Sequence, residues 1–180
     1  MTSTLKQLLQ DNFTKYKADL FSAFIVRCVE LADEGGSLGF MSPFVWMFIS
    51  SYEGLRKKLI SELTLTSLIQ LEYSGFDGAT VPVCTFTFDK RISMEYAGGY
   101  VRLTDFRGAK LQGPKALEGI RNPLCGWFFR VASAEFNSIP GSPIAYWISS
   151  DTRSLFRRFD SLASVAKPRQ GLATSDNDRF

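Results

Sequence analysis

The chain has 180 residues, enough for one domain or for one and the start of another, with 45% hydrophobic and 22% charged residues, an ordinary globular balance. No histidine is present, and the three cysteines are widely spaced without a CxxC; this excludes a Cys/His zinc site and a histidine-based triad and argues against a disulfide scaffold. The net charge of +3 is uneven: residues 1–90 carry 8 Lys+Arg against 10 Asp+Glu (−2), and residues 91–180 carry 13 against 8 (+5).

The N-terminal MTSTLKQLLQDNF has no basic segment followed by an apolar core, so no signal peptide is evident. No apolar run reaches the roughly 18–20 residues of a membrane span, and the expected address is cytoplasmic. Residues 1–18 form a polar lead-in, helical around Leu5–Leu9. Asp19 then caps a helix to Glu34, on which Leu20, Phe21, Phe24, Ile25, Cys28 and Val29 recur at helical spacing. Gly35-Gly36 supplies a left-handed stop, and the short apolar run Ser37–Ser42, ended by Pro43, reads as a parallel strand.

Ser50 and Glu53 have the spacing of a capping box for a second helix, Ser51–Glu62. Leu65–Glu72 and Val81–Phe88 read as strands, the latter with Cys84, Phe86 and Phe88 on one face. The short link between them permits an antiparallel pair. The loop between them contains Phe76, set among glycines, which neither a helix nor a strand core explains.

Beyond Lys90 the pattern changes. Tyr100–Phe106 and Trp127–Val131 are predicted strands, residues 107–126 are Gly/Pro-rich and read as irregular, and Ser142-Pro143 opens a predicted third helix to about Phe159. Three regions are therefore expected, at 1–90, 91–141 and 142–180. Ten of the 13 cations after residue 90 are arginine, whose planar fork suits phosphate, although a solvated basic surface explains them as well.

In order, DLFSAFIVRCVELADEGGSLGFMSPFVWMF, YEGLRKKLI and LIQLEYSGFDGATVPVCTFTF, then FNSIPGSPIAYWIS and PRQGLATSDNDRF, resemble adenine-specific DNA methyltransferases of the type IIG kind. Among these they are most similar to the methyltransferase of the BREX phage-defence system, over about residues 15–180. The resemblance implies an α/β class: the C-terminal half of a Rossmann-like sheet with an antiparallel last strand, followed by the start of a target-recognition region. It implies S-adenosylmethionine as cofactor, with Phe24 packing on its adenine. Ordinary core accounts for the periodicity of Phe24 equally well.

The reaction so implied methylates the exocyclic amine of adenine, which must first leave the duplex; Phe76 would stack on the everted base. The implied partners are double-stranded DNA and other defence-system proteins, with no membrane. Arg153, Arg157, Arg158, Arg169 and Arg179 are weak candidates for phosphate contacts.

The sequence departs from the family pattern in two places. It contains neither the Asn-Pro-Pro-Tyr loop nor the glycine-rich cofactor loop, and its one Asn-Pro, Asn122-Pro123, is followed by leucine. No catalytic residue is therefore assigned, and the chain reads as a fragment whose partner is the missing N-terminal half of the same enzyme. A strand at Ser37–Ser42 would then keep an unpaired edge, so the isolated chain is expected to be poorly soluble. The alternatives are a non-catalytic DNA-binding fragment and an inactive truncated gene product.

Overall fold

In the computed structural model, residues 2–17, 19–73, 75 and 81–167 are described. One five-stranded sheet organises them, in the order β1-β3-β2-β4-β5. The strands are β1 (Ser37–Pro43), β2 (Thr64–Gln70), β3 (Val83–Asp89), β4 (Ala97–Arg102) and β5 (Phe128–Ala132). Strand β3 runs antiparallel to both β1 and β2, so those two are parallel to each other with β3 inserted between them. Strand β4 is parallel to β2, and β5 antiparallel to β4.

The expected antiparallel strand is present, but it is interior, and two further strands extend the sheet beyond β2. Tyr100, Val131, Phe136, Ile144 and Tyr146 share one buried cluster with Ile25, Leu55 and Phe86, so the core continues without a break across residue 90. On β3, Cys84, Phe86 and Phe88 are all buried, as the alternation requires. Burial pushes the Cys84 thiol up to about 12.

Helix α1 (Ser3–Asn12) precedes α2 (Leu20–Leu31), whose Asp19 cap accepts the Leu20 N–H at 2.6 Å. The helix ends before the glycines, and Gly35 at φ 78° turns the chain into β1. The main-chain bonds Gly35 N–H to Lys90 O and Lys90 N–H to Gly36 O pin that turn beside the end of β3. Helix α3 (Glu53–Glu62) follows a 3₁₀ turn at Ser50–Tyr52 and has no side-chain cap; Glu53 pairs forward with Lys57 at 2.6 Å instead of backward with Ser50.

Two predicted elements differ. The Gly/Pro-rich stretch contains a 13-residue helix, α4 (Ala109–Arg121), despite Gly113-Pro114. Tertiary anchoring outweighs the poor propensity: Trp127 Nε1 donates to Lys115 O at 3.1 Å, and a Cβ on Gly119 would meet that indole at 3.0 Å. Conversely, residues 142–148 are not helical. Gly141 and Ser142 have φ of 80° and 50°, and Ile144, Ala145 and Tyr146 are buried in succession, which a one-faced helix cannot achieve. The helix there is α5 (Ser150–Arg158), capped by Ser149, with the short α6 (Leu162–Val165) after it.

One buried cation ties these pieces together. Arg56 on α3, 1% exposed, donates from Nη1 to Trp46 O (2.7 Å) and Ile49 O (2.8 Å), and from Nε and Nη2 to Gly141 O (3.0 and 2.8 Å). Burial lowers its pKa, with Glu53 opposing the shift. Arg56→Met removes the guanidinium from the Trp46, Ile49 and Gly141 carbonyls, of which Ile49 O keeps the Tyr52 N–H, and is expected to cost about 3–5 kcal/mol, read as a lower urea midpoint. A loss under about 1 kcal/mol would show that water satisfies those carbonyls.

Candidate functional site at the carboxyl edge of the sheet

Strands β1, β2 and β4 run the same way and end at Pro43, Gln70 and Arg102. Open α/β sheets collect loops and helix N-termini at this rim, which is why ligands bind there. The N-terminal turn of α2 reaches the same end, since Phe21 contacts Tyr52, beyond the end of β1, at 5.3 Å between ring centroids.

Phe24 lies one residue inside that turn and off the buried face formed by Ser22, Ala23, Ile25, Val26 and Val29. Its ring is 61% exposed, so it is not core, and its apparent place in the apolar stripe was misleading. It borders an apolar hollow of about 170 Å³ whose walls include Leu5, Leu8, Leu9, Phe13 and Leu20, with Arg27 at the margin. Apart from Arg27 the lining is apolar, a surface of the kind that takes up an uncharged planar ring. α1 supplies Leu5, Leu8 and Leu9 to the wall, a contribution that its polar sequence concealed.

The loop after β2 is described through Tyr73 and at Gly75; Phe76 lies outside the described residues, as do Arg169 and Arg179. The start of that loop is clasped by the buried Gln112, whose Oε1 accepts the Glu72 N–H at 3.1 Å and whose Nε2 donates to Phe106 O. Glu72 Oε2 in turn accepts the Gly108 N–H at 3.3 Å. Gln112 was invisible in the sequence because the helix carrying it was unexpected.

At the centre of the rim, Tyr146 donates to Gln70 Oε1 at 2.8 Å, and its ring stacks on Tyr100 at 5.2 Å. Burial raises the phenol pKa of Tyr146, while the nearby Arg102 charge opposes the shift. Phe44, Phe48 and Trp147 continue an aromatic arc with centroid spacings of 6.1 and 5.5 Å.

The candidate arginines divide. Arg153 is 6% exposed and structural: Nη1 donates to Ile148 O at 2.7 Å, and Nε lies 3.7 Å from Glu135 Oε2. That burial removes it from the phosphate contacts. Arg157 and Arg158 are exposed, with Arg157 donating to Ser138 Oγ at 2.9 Å and Arg158 lying over Phe159. Asn122-Pro123 caps the end of α4 in a turn, with Cys125 N–H bonding Asn122 O. Among the described residues no cluster could hold a metal, and no helix is long and apolar enough to cross a membrane.

Residues 1–76 match the family described as Eco57I restriction-modification methylase. The whole chain is similar to the adenine-specific methyltransferase PglX of Lacticaseibacillus casei (strain Zhang), at 30% identity over 184 aligned positions, and spans 15% of that protein. It is 28% identical over 169 positions to the adenine-specific methyltransferase BrxX of Escherichia coli O9:H4 (strain HS), covering 92% of this chain and 14% of that one. The fold is similar to part of the type I restriction-modification system methyltransferase subunit from Streptococcus thermophilus, with a TM-score of 0.58, 13% identity, and coverage of 81% of this chain and 34% of that one.

The Tyr146–Gln70 bond can be tested directly. Tyr146→Phe keeps the ring stack and leaves the buried Gln70 Oε1 without its donor, an expected loss of about 1–3 kcal/mol in urea unfolding. An unchanged midpoint would mean that Gln70 finds another partner.

Proposed function

We propose that this chain, related along its whole length to adenine-specific methyltransferases, supplies the second half of the catalytic domain of a DNA adenine methyltransferase in a phage-defence setting. The observation that carries this reading is the exposed Phe24 beside an apolar hollow, at the end of α2 that meets the carboxyl rim.

In this reading Phe24 and the hollow hold the adenine ring of S-adenosylmethionine. The cofactor supplies an electrophilic methyl group, which passes to the exocyclic amine of a target adenine. Phe76 stacks on that everted base, because a neutral planar ring is held by a flat apolar surface, at roughly 1–3 kcal/mol per base. The Gln112 clasp orients the strand-exit turn from which the loop departs. Arg157 and Arg158 on α5, with Arg169 and Arg179, meet the DNA backbone. The chain's own residues thus bind and orient; the groups that act on the amine come from a polypeptide with the Asn-Pro-Pro-Tyr and glycine-rich loops, docked at β1.

Reconstitution tests this. Co-purified with such a polypeptide, the chain is expected to bind S-adenosylhomocysteine in calorimetry and to restore transfer of labelled methyl to DNA adenine. Phe24→Ala should weaken that binding by about tenfold, the equivalent of a lost stacking contact near 1.4 kcal/mol. Full affinity in Phe24→Ala would remove Phe24 from the cofactor site, and absence of methyl transfer by the pair would overturn the proposed reaction.

A further inference from the structure

We infer that Arg102 is a preorganised contact for a DNA phosphate at the carboxyl rim, held in place by Trp147 and Thr104. This rests on the reading of the chain as part of a DNA methyltransferase and adds a site to it.

Arg102 is the last residue of β4 and pairs in parallel register with Gln70, the last of β2, so both side chains leave the sheet at the same rim. Its guanidinium carbon sits 4.7 Å from the centroid of the Trp147 ring, and Nε donates to Thr104 Oγ1 at 3.1 Å. Those two contacts fix the plane of the group while engaging only one of its three nitrogens. Among the described residues, the two terminal nitrogens have no hydrogen-bond acceptor, and no carboxylate lies within ion-pair distance.

The arginines that hold the fold behave differently. Arg56 and Arg153 direct terminal nitrogens onto main-chain carbonyls. A charged fork that is oriented yet has free donors is matched to an anion with paired oxygens, and an arginine stacked on an aromatic ring loses little further freedom on binding one. A phosphodiester is the anion that the proposed reaction brings to this rim. The half-buried rings of Phe48 and Trp147 beside it make the surface amphipathic, as a backbone-and-base ligand requires.

The test is fluorescence anisotropy of the full chain with a labelled 20-base-pair DNA duplex, and separately with the single strand, between 50 and 200 mM KCl. For the wild type, log Kd is expected to rise linearly with log salt. Arg102→Met should lower that slope by about 0.9 on duplex or about 0.7 on single strand, whichever carries the phosphate, so that affinity falls about 3.5-fold less on duplex or about 2.6-fold less on single strand across the range. Trp147→Leu should weaken binding without changing the slope, because the charge remains and only its orientation is lost.

If Arg102→Met does not melt cooperatively, Arg102→Gln substitutes, keeping a planar polar group without the charge. An unchanged slope in the neutral variant, with the wild type binding, overturns the role of Arg102 alone. If the wild type binds neither DNA, the DNA-binding reading fails and takes this site with it.

Discussion

The arrangement depends on one buried guanidinium. Arg56 is the point at which the segment after β1, helix α3 and the Ile139–Gly141 approach to the core are joined. Burying a cation is costly unless its donors are satisfied, and here each bond goes to a main-chain carbonyl, of Trp46, Ile49 or Gly141. Desolvation lowers the pKa of Arg56, but an arginine begins so far above neutrality that it stays charged in the fold. Gly141 is bound to this knot by conformation as well as contact, since its φ of 80° lets its carbonyl face the fork.

That joint has a consequence at the rim. By holding the Gly141 carbonyl, with Ile144 N–H bonded to Met47 O, it helps set the start of the extended run through Ile144 and Tyr146, and hence where Trp147 stands over Arg102. Packing and site are therefore coupled. The two ends of the arc along Phe44, Phe48 and Trp147 are distant in sequence, and the Arg56 bonds and the Ile144 N–H to Met47 O bond both bring them together.

Local patterns in the sequence were legible where periodicity and burial agree. The alternation of Cys84, Phe86 and Phe88, the Asp19 cap and the strands near Leu65 and Phe128 all follow from rules that act within a few residues. What could not be read arises from distant contacts. Trp127 makes a helix of a Gly/Pro-rich stretch, the carbonyls around Arg56 make an arginine into core, and burial of three successive residues prevents a helix after Pro143. Phe24 shows the limit in another form, because its spacing fits an apolar stripe while its ring lies outside the core. The family resemblance singled it out where periodicity did not.

The sheet has two outer edges among the described residues, and they differ. Strand β5 is five residues long and carries the exposed Arg130, which donates to Ala97 O and blunts the edge. Strand β1 is seven residues long, uncharged, and paired to β3 in unbroken register, so its free side is a regular template for a further strand. In the proposed function a second polypeptide segment completes the sheet there. Peptide-resolved hydrogen exchange addresses it, comparing the chain alone with the chain joined by a segment bearing the family's two missing loops. The account predicts new protection in β1 and the first turn of α2, with β5 unchanged. Protection at β5 instead, or none at β1, would contradict it.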